Sequence, residues 1–161
     1  MRRQRLIQKI LYFLSALIMI VGLSNKLHAA DEDKLFYEQT VYVPIYSHIY
    51  SGMKGRPFDL AATLSIRNTD IKNPITLVSV KYYDTDGNLI KEYLDGPLQL
   101  KALGSTRYII TEADTSGGSG ANFIVRWKSD AKVNPPVIES VMIGTKSGQG
   151  ISFVSRGQVI E

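Results

Sequence analysis

Few residues of this chain have side chains that could carry out a reaction. His48 is the only histidine beyond position 30, and the chain contains no cysteine. A hydrolase built on His48 would need a serine nucleophile and a carboxylate beside the imidazole, with Asp59, Glu112 or Asp114 as candidates. Because the chain has no Gly-x-Ser-x-Gly motif, a histidine packed on a strand is the better interpretation, and we predict no catalytic residue.

Oxygen-bearing side chains alternate at Asp84, Asp86 and Asn88, with Gly87 inside the run. Calcium loops use carboxylates at alternate positions, but they end with a bidentate acid, and Glu92 is misplaced for that role. A β-hairpin turn is therefore the better interpretation, because glycine accepts the positive φ that such turns require.

A second glycine-containing run, from Ser116 to Gly120, could let backbone amides approach an anion or a sugar. It is not a phosphate-binding P-loop, because no Lys-Ser/Thr pair follows and the next segment has the pattern of a strand. The alternative is a plain connection between two strands.

Four aromatic side chains, Tyr42, Tyr46, His48 and Tyr50, would share one face if residues 40–50 formed a single strand. Aromatic faces stack on sugar rings or on the side chains of a partner. A cross-strand ladder or a second buried face is the more usual role of such a stripe, so it is the weaker binding candidate.

The composition excludes several classes of function. The chain has 19 Lys plus Arg and 15 Asp plus Glu. Five basic residues and no acid lie in the first thirty positions, which leaves a nearly neutral remainder of 14 basic and 15 acidic residues. This remainder lacks the basic face that nucleic acid requires. With no thiolate and only Met53, Met142 and His48 as soft or imidazole ligands after position 30, we predict no metal and no cofactor.

The first thirty residues have the pattern of an export signal. A basic start precedes an uncharged apolar stretch, Ile10 to Leu23, and a small-residue end, Ala29-Ala30. The stretch is shorter than the ~20 residues of a spanning helix, which favours a cleaved signal over an uncleaved anchor. We expect residues 1–30 to be a signal peptide for the general secretory route. Residues 31–161 would form one periplasmic or secreted domain that meets the membrane only through its leader during export.

The remainder of the chain alternates apolar and polar residues with the period of a β-strand. Residues 58–68 give the clearest pattern, and residues 75–83 lead into the Asp84-Thr-Asp-Gly87 turn. No segment has a helical period, so we expect an all-β fold, a single antiparallel β-sandwich of immunoglobulin-like character. The side chains expected in the core are Leu60, Ala62, Leu64, Ile66, Val78, Val80, Phe123, Val125 and Val141. Those expected in solvent are Asp59, Thr63, Arg67 and Arg126.

Several turns carry a resemblance that spans the chain from Thr40 to its end. The segments are Asn68-Thr-Asp70, Tyr82-Tyr-Asp-Thr-Asp-Gly87, Asp114-Thr-Ser-Gly-Gly-Ser-Gly-Ala-Asn-Phe123, Asn134-Pro-Pro136 and Ser155-Arg-Gly-Gln158. Together they resemble a bacterial family of exported proteins, domain of unknown function 3124. That resemblance implies no established activity. The order of a strand ending in Asn, a strand ending in Tyr-Asp-x-x-Gly and a leucine-rich turn is similar to bacterial immunoglobulin-like modules, which bears on fold alone.

The order of the strands predicts where the loops meet. If consecutive strands are antiparallel and 98–103 only leads into the next strand, loops 51–57, 84–87, 114–122 and 144–150 share one end, here called the glycine end. The turns with Pro74, Pro97, Pro135 and Pro136 would then lie at the opposite end. A separate strand at 98–100 would move loops 114–122 and 144–150 away from the glycine end.

Loops on a rigid scaffold are the usual place for recognition, which makes the glycine end the candidate binding site. Its candidate contacts are Lys54, Arg56, Asp114, Ser116, Ser119, Asn122 and Lys146. We therefore expect a non-enzymatic binding or assembly module that recognises an envelope protein or glycan. The alternatives are a small exported hydrolase that uses His48 with loop carboxylates, and an adapter that stabilises a larger envelope complex.

Overall fold

The computed structural model describes residues 34–51, 54–146 and 148–161, except for the side chains of Ser51 and Lys146. The predicted signal peptide lies outside these residues. Leu35–Glu161 form one compact unit. Within the described ranges there is no helix with the length and apolar character needed to cross a membrane. The described strands are β1 (Phe36–Pro44), β2 (His48–Ser51), β3 (Arg56–Asp59), β4 (Ala61–Arg67), β5 (Ile75–Tyr83), β6 (Leu89–Glu92), β7 (Leu98–Leu100), β8 (Ser105–Ile110), β9 (Asn122–Val133), β10 (Val137–Lys146), β11 (Gln149–Arg156) and β12 (Gln158–Val159).

The described chain is all-β, with every pairing antiparallel. Six strands form the larger sheet in the order β12-β1-β9-β5-β6, and β7 also pairs with β5. A second sheet has the order β11-β10-β4-β8, and β2 pairs with β3 in a separate hairpin. The aliphatic and aromatic residues that pack between these strands belong to one hydrophobic core, to which both larger sheets contribute.

Strands β6 and β7 both pair with β5 and run in the same direction. β6 pairs with the end of β5, where Lys91 lies opposite Tyr82, and β7 pairs with its start, where Leu100 lies opposite Ile75. Both segments therefore run the same way along one edge of β5, as a single return strand that is interrupted at residues 93–97. We expected a separate strand at 98–100 to reverse the order of the later loops. That expectation is wrong, because β7 continues β6 without turning back.

Most of the predicted core is buried as the period-two pattern requires. Seven of the side chains have 1% or less of their surface exposed: Leu60, Ala62, Leu64, Ile66, Val80, Phe123 and Val125. Arg67 and Arg126 are exposed as predicted. The prediction for Asp59 and Thr63 is wrong, because both are half-buried: Asp59 lies opposite His48, and Thr63 lies between Ile109 and Val141. The register of β4 is therefore the predicted one, because a slip of one residue would turn its apolar set towards water.

Val78 is a wrong prediction, and a β-bulge is the reason. The pairing of β5 with β9 shifts register between Leu77 and Ser79. Ile75 and Leu77 are buried before the bulge and Val80 and Tyr82 after it, so the inward face changes from odd to even positions. Val78 is the extra residue of the bulge, and its side chain is 37% exposed.

Val141 is also wrong, because β10 buries its even-numbered residues. Ile138, Ser140 and Met142 are at most 5% exposed, while Val141 is half-buried on the other face. The Ser140 hydroxyl donates to the carbonyl oxygen of Pro44, so a polar residue takes the inward position. The buried Ser140 hydroxyl is thereby hydrogen-bonded, as buried polar groups in native proteins are.

The strand directions place the connections at two ends. At the opposite end, the Asn68 amide donates to Gly104 O at 2.9 Å, and the Thr69 hydroxyl donates to Pro135 O at 2.9 Å. The connections 68–74, 101–104 and 134–136 therefore meet there. Pro97 does not lie at that end as predicted, because it belongs to the interruption between β6 and β7 at the side of the larger sheet.

Candidate functional site

Two of the predicted glycine loops contact each other directly. Thr85 is at the tip of the 84–87 turn, and its amide and hydroxyl both donate to Gly117 O at 2.9 Å. The Thr85 hydroxyl oxygen also accepts from the Gly120 amide at 3.0 Å. These three bonds join the turn to the 114–122 loop. They confirm the prediction that Gly87 and Gly118 lie at the same end.

The segment between β1 and β2 extends this contact. Ser47 is fully buried, and its amide and hydroxyl donate to Gly118 O at 3.1 and 2.9 Å. The Ile45 amide donates to Ala121 O at 3.0 Å, and the Leu60 amide donates to Ser47 O at 2.9 Å. The 114–122 loop is therefore fixed on both sides by backbone bonds, which gives it a defined shape although it contains three glycines.

Gly117 is required by close packing beneath the loop. A Cβ atom at this position would overlap the Tyr82 hydroxyl and lie 2.7 Å from the Cβ of Ala121. Only glycine lets the loop backbone pass this close to a tyrosine that is itself 1% exposed.

The 144–150 hairpin and the β2–β3 hairpin also belong to this end. A Cβ atom at Gly144 would lie 2.6 Å from the Phe58 ring and 2.7 Å from Asp59 O, so β10 packs closely on the segment that joins β3 to β4. Tyr46 packs edge-on against Phe153 of β11, with ring centroids 5.6 Å apart. All four predicted glycine loops therefore start from the same end.

Asp84 and Asp114 use their carboxylates differently. Asp84 Oδ1 accepts from the amides of Asp86 and Asn88, and Asp84 Oδ2 accepts from the Asn88 side chain at 3.0 Å. The Asn88 donors, above all, lower the pKa of Asp84 below its ordinary value. Both oxygens are therefore committed to the turn, which agrees with the hairpin interpretation and leaves neither aimed at a cation.

Asp114 makes its bonds to Ser116 through one carboxylate oxygen only. Its Oδ1 accepts both the Ser116 amide, at 3.1 Å, and the Ser116 hydroxyl. Asp114 Oδ2 takes part in neither bond. This half-buried carboxylate is the one acid among the predicted contacts, and its geometry suits it to accept a hydrogen bond from a partner or a sugar hydroxyl.

The remaining predicted contacts lie on three different connections of the glycine end. Lys54 and Arg56 are exposed on the β2–β3 hairpin, and Ser116 is exposed on the loop. Ser119 and Asn122 are half-buried, and Asn122 begins β9 opposite Pro44 and Tyr83. Lys146 ends β10 opposite Gln149, and its side chain lies outside the described residues.

The aromatic stripe is not a single row. β1 ends at Pro44 and β2 begins at His48, so the predicted strand over residues 40–50 is interrupted. Tyr42 stays on β1 in the larger sheet, and Tyr46 packs on Phe153. His48 and Tyr50 contact each other, with ring centroids 5.2 Å apart and Nε2 3.2 Å from the Tyr50 hydroxyl oxygen. The structure therefore brings together only the last two members of the stripe.

A second aromatic cluster, beneath Asp114, was not predicted. Tyr82 stacks on Phe123 at 5.1 Å, and Tyr93 lies 5.7 Å from Phe123 and 5.1 Å from Tyr108. Burial, followed by the nearby charge of Asp114, raises the pKa of Tyr82 to about 12 and raises the pKa of Tyr93. The Tyr82 hydroxyl lies near Gly117 and Ser116 but has no hydrogen bond in good geometry within the described residues. Alternation could have indicated Tyr82, because it continues the even-numbered inward positions that were predicted at Val78 and Val80.

No group of three or more histidine, cysteine, aspartate or glutamate side chains in the described ranges is arranged to hold a metal ion. His48 has Tyr50 as its hydrogen-bond neighbour, on a different segment from Asp114. The glycine end thus offers backbone carbonyls, hydroxyls, one half-buried carboxylate and two exposed cations. These groups suit recognition by hydrogen bonds and charge.

Comparison with known proteins gives a family and one solved structure. The family model described as "Protein of unknown function (DUF3124)" matches residues 38–160. No curated protein matches the chain. A crystal structure titled "Crystal Structure of Thermotoga maritima 1070" is similar over 74% of this chain and 92% of its own, at 12% identity and a TM-score of 0.45.

Proposed function

The chain belongs to the family described as "Protein of unknown function (DUF3124)", and from that premise we propose a non-enzymatic binding or assembly module that recognises an envelope protein or glycan through the glycine end. We further propose that the two larger sheets form an immunoglobulin-like β-sandwich that holds this end rigid. Support for the sandwich comes from the core that both sheets share and from Gly157, which directly joins β11 of one sheet to β12 of the other.

One observation carries the proposal. Backbone bonds through Thr85, Ser47 and Gly118 join three separate segments into a single surface. A surface built from loops that are fixed in advance loses less conformational entropy on binding than one built from free loops. On this surface Asp114 Oδ2 takes no part in the bonds to Ser116, and Arg56 is exposed, so both side chains present polar atoms that a ligand could contact.

The hydrolase alternative has weaker support. Its base would be His48, whose ring nitrogen lies 3.2 Å from the Tyr50 hydroxyl on an exposed hairpin. Of its candidate carboxylates, Asp59 lies directly opposite His48 in the β2–β3 pairing but is not hydrogen-bonded to the imidazole, and Asp114 is engaged with Ser116 on another loop. An acid–base pair needs two tuned groups within reach of one substrate, and the contacts of these side chains do not form such a pair.

Export to the envelope follows from the leader in the sequence and forms part of the proposal. The test is affinity capture from the native cell envelope, with captured proteins and glycans both identified. We expect the unaltered chain to retain a partner and the double variant Asp114→Ala, Arg56→Ala to lose it at an unchanged melting temperature. The control variant is Asp130→Ala, Lys72→Ala, which removes the same charges from exposed positions outside the glycine end. Equal capture by all three proteins would contradict the proposal.

A further inference from the structure

The exposed face of the four-stranded sheet carries aliphatic residues in register. Thr63 of β4 lies between Ile109 and Val141, and Val141 lies opposite Val154. In the next row, Ala61 lies opposite Ile143. Directly opposed side chains on one face of antiparallel strands have Cβ atoms about 5 Å apart, so these residues form a continuous patch. We call Ala61, Thr63, Ile109, Val141, Ile143 and Val154 the aliphatic face.

Its exposure is high for residues of this type. Ile109 is 57% exposed, Ile143 is 53% exposed and Val154 is 54% exposed. Single exposed aliphatic residues are ordinary on protein surfaces, whereas a contiguous patch bordered by polar residues marks an interaction site. The residues of the aliphatic face are contiguous, so this face has the character of an interaction site.

The larger sheet provides an internal reference, because two adjacent rows of its outward face are polar, although Ile124 lies between Tyr42 and Lys81 in the row beside them. Lys128 of β9 lies between Glu38 and Thr76, and Arg126 lies between Thr40 and Ser79. This is the alternation of charged and hydroxyl side chains that a solvated sheet face normally has. The aliphatic character of the four-stranded sheet is therefore not a general property of the chain.

A charged row borders the aliphatic face on the side of the opposite end. Ser65 lies between Arg107 and Glu139, and Glu139 lies opposite Arg156. Arg67 adds a third guanidinium, and its Nε donates to the Ser65 hydroxyl at 3.1 Å. Three arginines beside one glutamate give this border a positive character.

A recess adjoins the same border. Its volume is about 310 Å³, and Val137, Glu139, Arg156 and Gly157 are among its lining residues. The recess is large enough for a side chain of a partner beside the arginine row. The aliphatic face is flat. The recess beside it supplies a concave feature that a partner side chain can fill, which adds to the shape complementarity of an interface.

We propose that the aliphatic face docks a segment of a partner protein in which aliphatic side chains stand beside carboxylates. Aliphatic side chains would cover Ile109, Ile143 and Val154, while carboxylates would pair with Arg107 and Arg156, where guanidinium forks favour bidentate contacts. This surface is separate from the glycine end and does not depend on the function proposed there.

The charge pattern distinguishes this occupant from two others. Two identical faces in contact would bring two positive arginine borders into one interface, which opposes self-association. A bilayer is bound by large side chains that insert, such as Trp, Phe and Leu on an amphipathic helix. The aliphatic face instead has short β-branched side chains on a flat sheet, which suit close packing against another protein.

The test uses two matched peptides of about eight residues, enough to span four strands. One peptide alternates valine with glutamate, and the other has lysine at each glutamate position. Each is added, at concentrations where it is monomeric, to the ¹⁵N-labelled chain purified in the form that the cell leaves after processing. We expect the acidic peptide to shift the amide resonances of Ile109, Ile143 and Val154 and to bind about tenfold more tightly than the basic peptide.

Two variants and one control sharpen the result. Arg107→Glu, Arg156→Glu should reverse the preference towards the lysine peptide. Ile143→Lys should abolish binding, whereas Ile71→Lys, at an isoleucine in the 68–74 turn that is 70% exposed, should leave it unchanged. Circular dichroism of each variant checks that the fold is retained.

Several results would overturn the proposal. These are no binding of the acidic peptide, equal binding of both peptides, or shifts confined to the glycine end. Sedimentation that shows a dimer lost in Ile143→Lys would identify a second copy as the occupant. Binding of vesicles containing anionic lipid, with no response to the acidic peptide, would identify a membrane.

Discussion

The two ends of the described chain are held together by different groups. At the opposite end, Asn68 and Asp70 are buried side chains that bond to the backbone of three separate connections. At the glycine end, loop carbonyls accept most of the bonds, and their side-chain donors are the exposed Thr85 and the buried Ser47. Buried hydrogen bonds cost far more to lose than exposed ones, so the opposite end, with two buried side chains that bond three connections, should carry more of the stability than the glycine end.

Backbone conformation shows the same contrast. At the glycine end the left-handed positions are glycines, with φ of 84° at Gly87 and 77° at Gly118. At the opposite end Leu103 takes φ of 58°, and its amide donates to Asp70 O at 3.1 Å. A leucine in this region is strained and persists only where its surroundings hold it. The opposite end is therefore the firmly specified one.

The largest effect on stability is expected at Asn68. Its side-chain amide reaches the carbonyl oxygens of Asn73 and Lys101 at 2.9 and 3.0 Å, and its Oδ1 accepts from the Asp70 amide at 3.0 Å. Asn68→Ala would leave these buried groups unsatisfied and should lower the free energy of unfolding by about 3 kcal/mol. Urea denaturation measures the change. Asn88→Ala, the same substitution in the exposed 84–87 turn region, should cost less than about 1 kcal/mol, and equal losses would remove the contrast between the ends.

Gly117 is the position where the glycine end should be least tolerant. Gly117→Ala places a methyl group against the Tyr82 hydroxyl and Ala121. The overlap should lower the free energy of unfolding by about 2 kcal/mol, as for other insertions into a packed interior. Gly148→Ala is the control for steric overlap, because a Cβ atom there meets no other group. Any cost at 148 would come from its φ of 77° alone. A Gly117→Ala chain as stable as the unaltered one would contradict the packing beneath the loop.

Ionisation of Tyr82 should make the stability of the fold depend on pH in the alkaline range. Its folded pKa of about 12 is raised by burial and then by Asp114, whereas an unfolded tyrosine titrates near 10. Ionisation of this phenol therefore has no effect on stability below about pH 10, and stability falls as pH rises towards about 12. Because the hydroxyl has no good hydrogen bond, Tyr82→Phe should raise stability by about 1 kcal/mol at neutral pH.

Thermal unfolding across this alkaline range measures both effects. Tyr82→Phe should show a shallower alkaline loss than the unaltered chain. Some loss should remain, because burial also raises the pKa of Tyr93 and Tyr108. An identical pH profile in the two proteins would show that Tyr82 ionises freely in the folded state.

Thr85→Val should have the smallest effect on global stability. It removes the hydroxyl that bonds Gly117 O and the Gly120 amide, but Gly117 O keeps the bond from the Thr85 amide, and the exposed Gly120 can bond water instead. We expect a loss below about 1 kcal/mol, together with faster hydrogen exchange confined to the 114–122 loop. Faster exchange across both sheets would mean that Thr85 supports the whole fold.

The sequence predicted regular alternation well and local irregularity poorly. From Leu60 to Ile66 the inward side chains are apolar at every second position, and no large apolar residue stands between them. The sequence therefore predicted their burial correctly. The bulge at Val78 depends on the register of β9 across the sheet, which residues 75–83 do not encode alone. In β10 both faces carry aliphatic residues, and the bond from Ser140 to Pro44, a contact distant in sequence, decides which face is inward.

The candidate site was predicted in the same uneven way. The family resemblance is confirmed, and so is the all-β antiparallel fold. The Asp-Thr-Asp-Gly turn and the shared end of the glycine loops are both present. Thr85 and Ser47 were missed because their role is to bond carbonyls of a distant loop, and threonine or serine in a turn gives no sign of such a partner. Only the order of the strands within the sheets shows which loops contact each other.

The central claim, that the glycine end is the binding surface, is tested most directly by hydrogen exchange of the chain with and without its native envelope fraction. We predict slower exchange in residues 84–88 and 114–121, lost in Asp114→Ala, Arg56→Ala and retained in Asp130→Ala, Lys72→Ala. Slower exchange at 68–74 and 101–104 instead, or no change at either end, would contradict the claim.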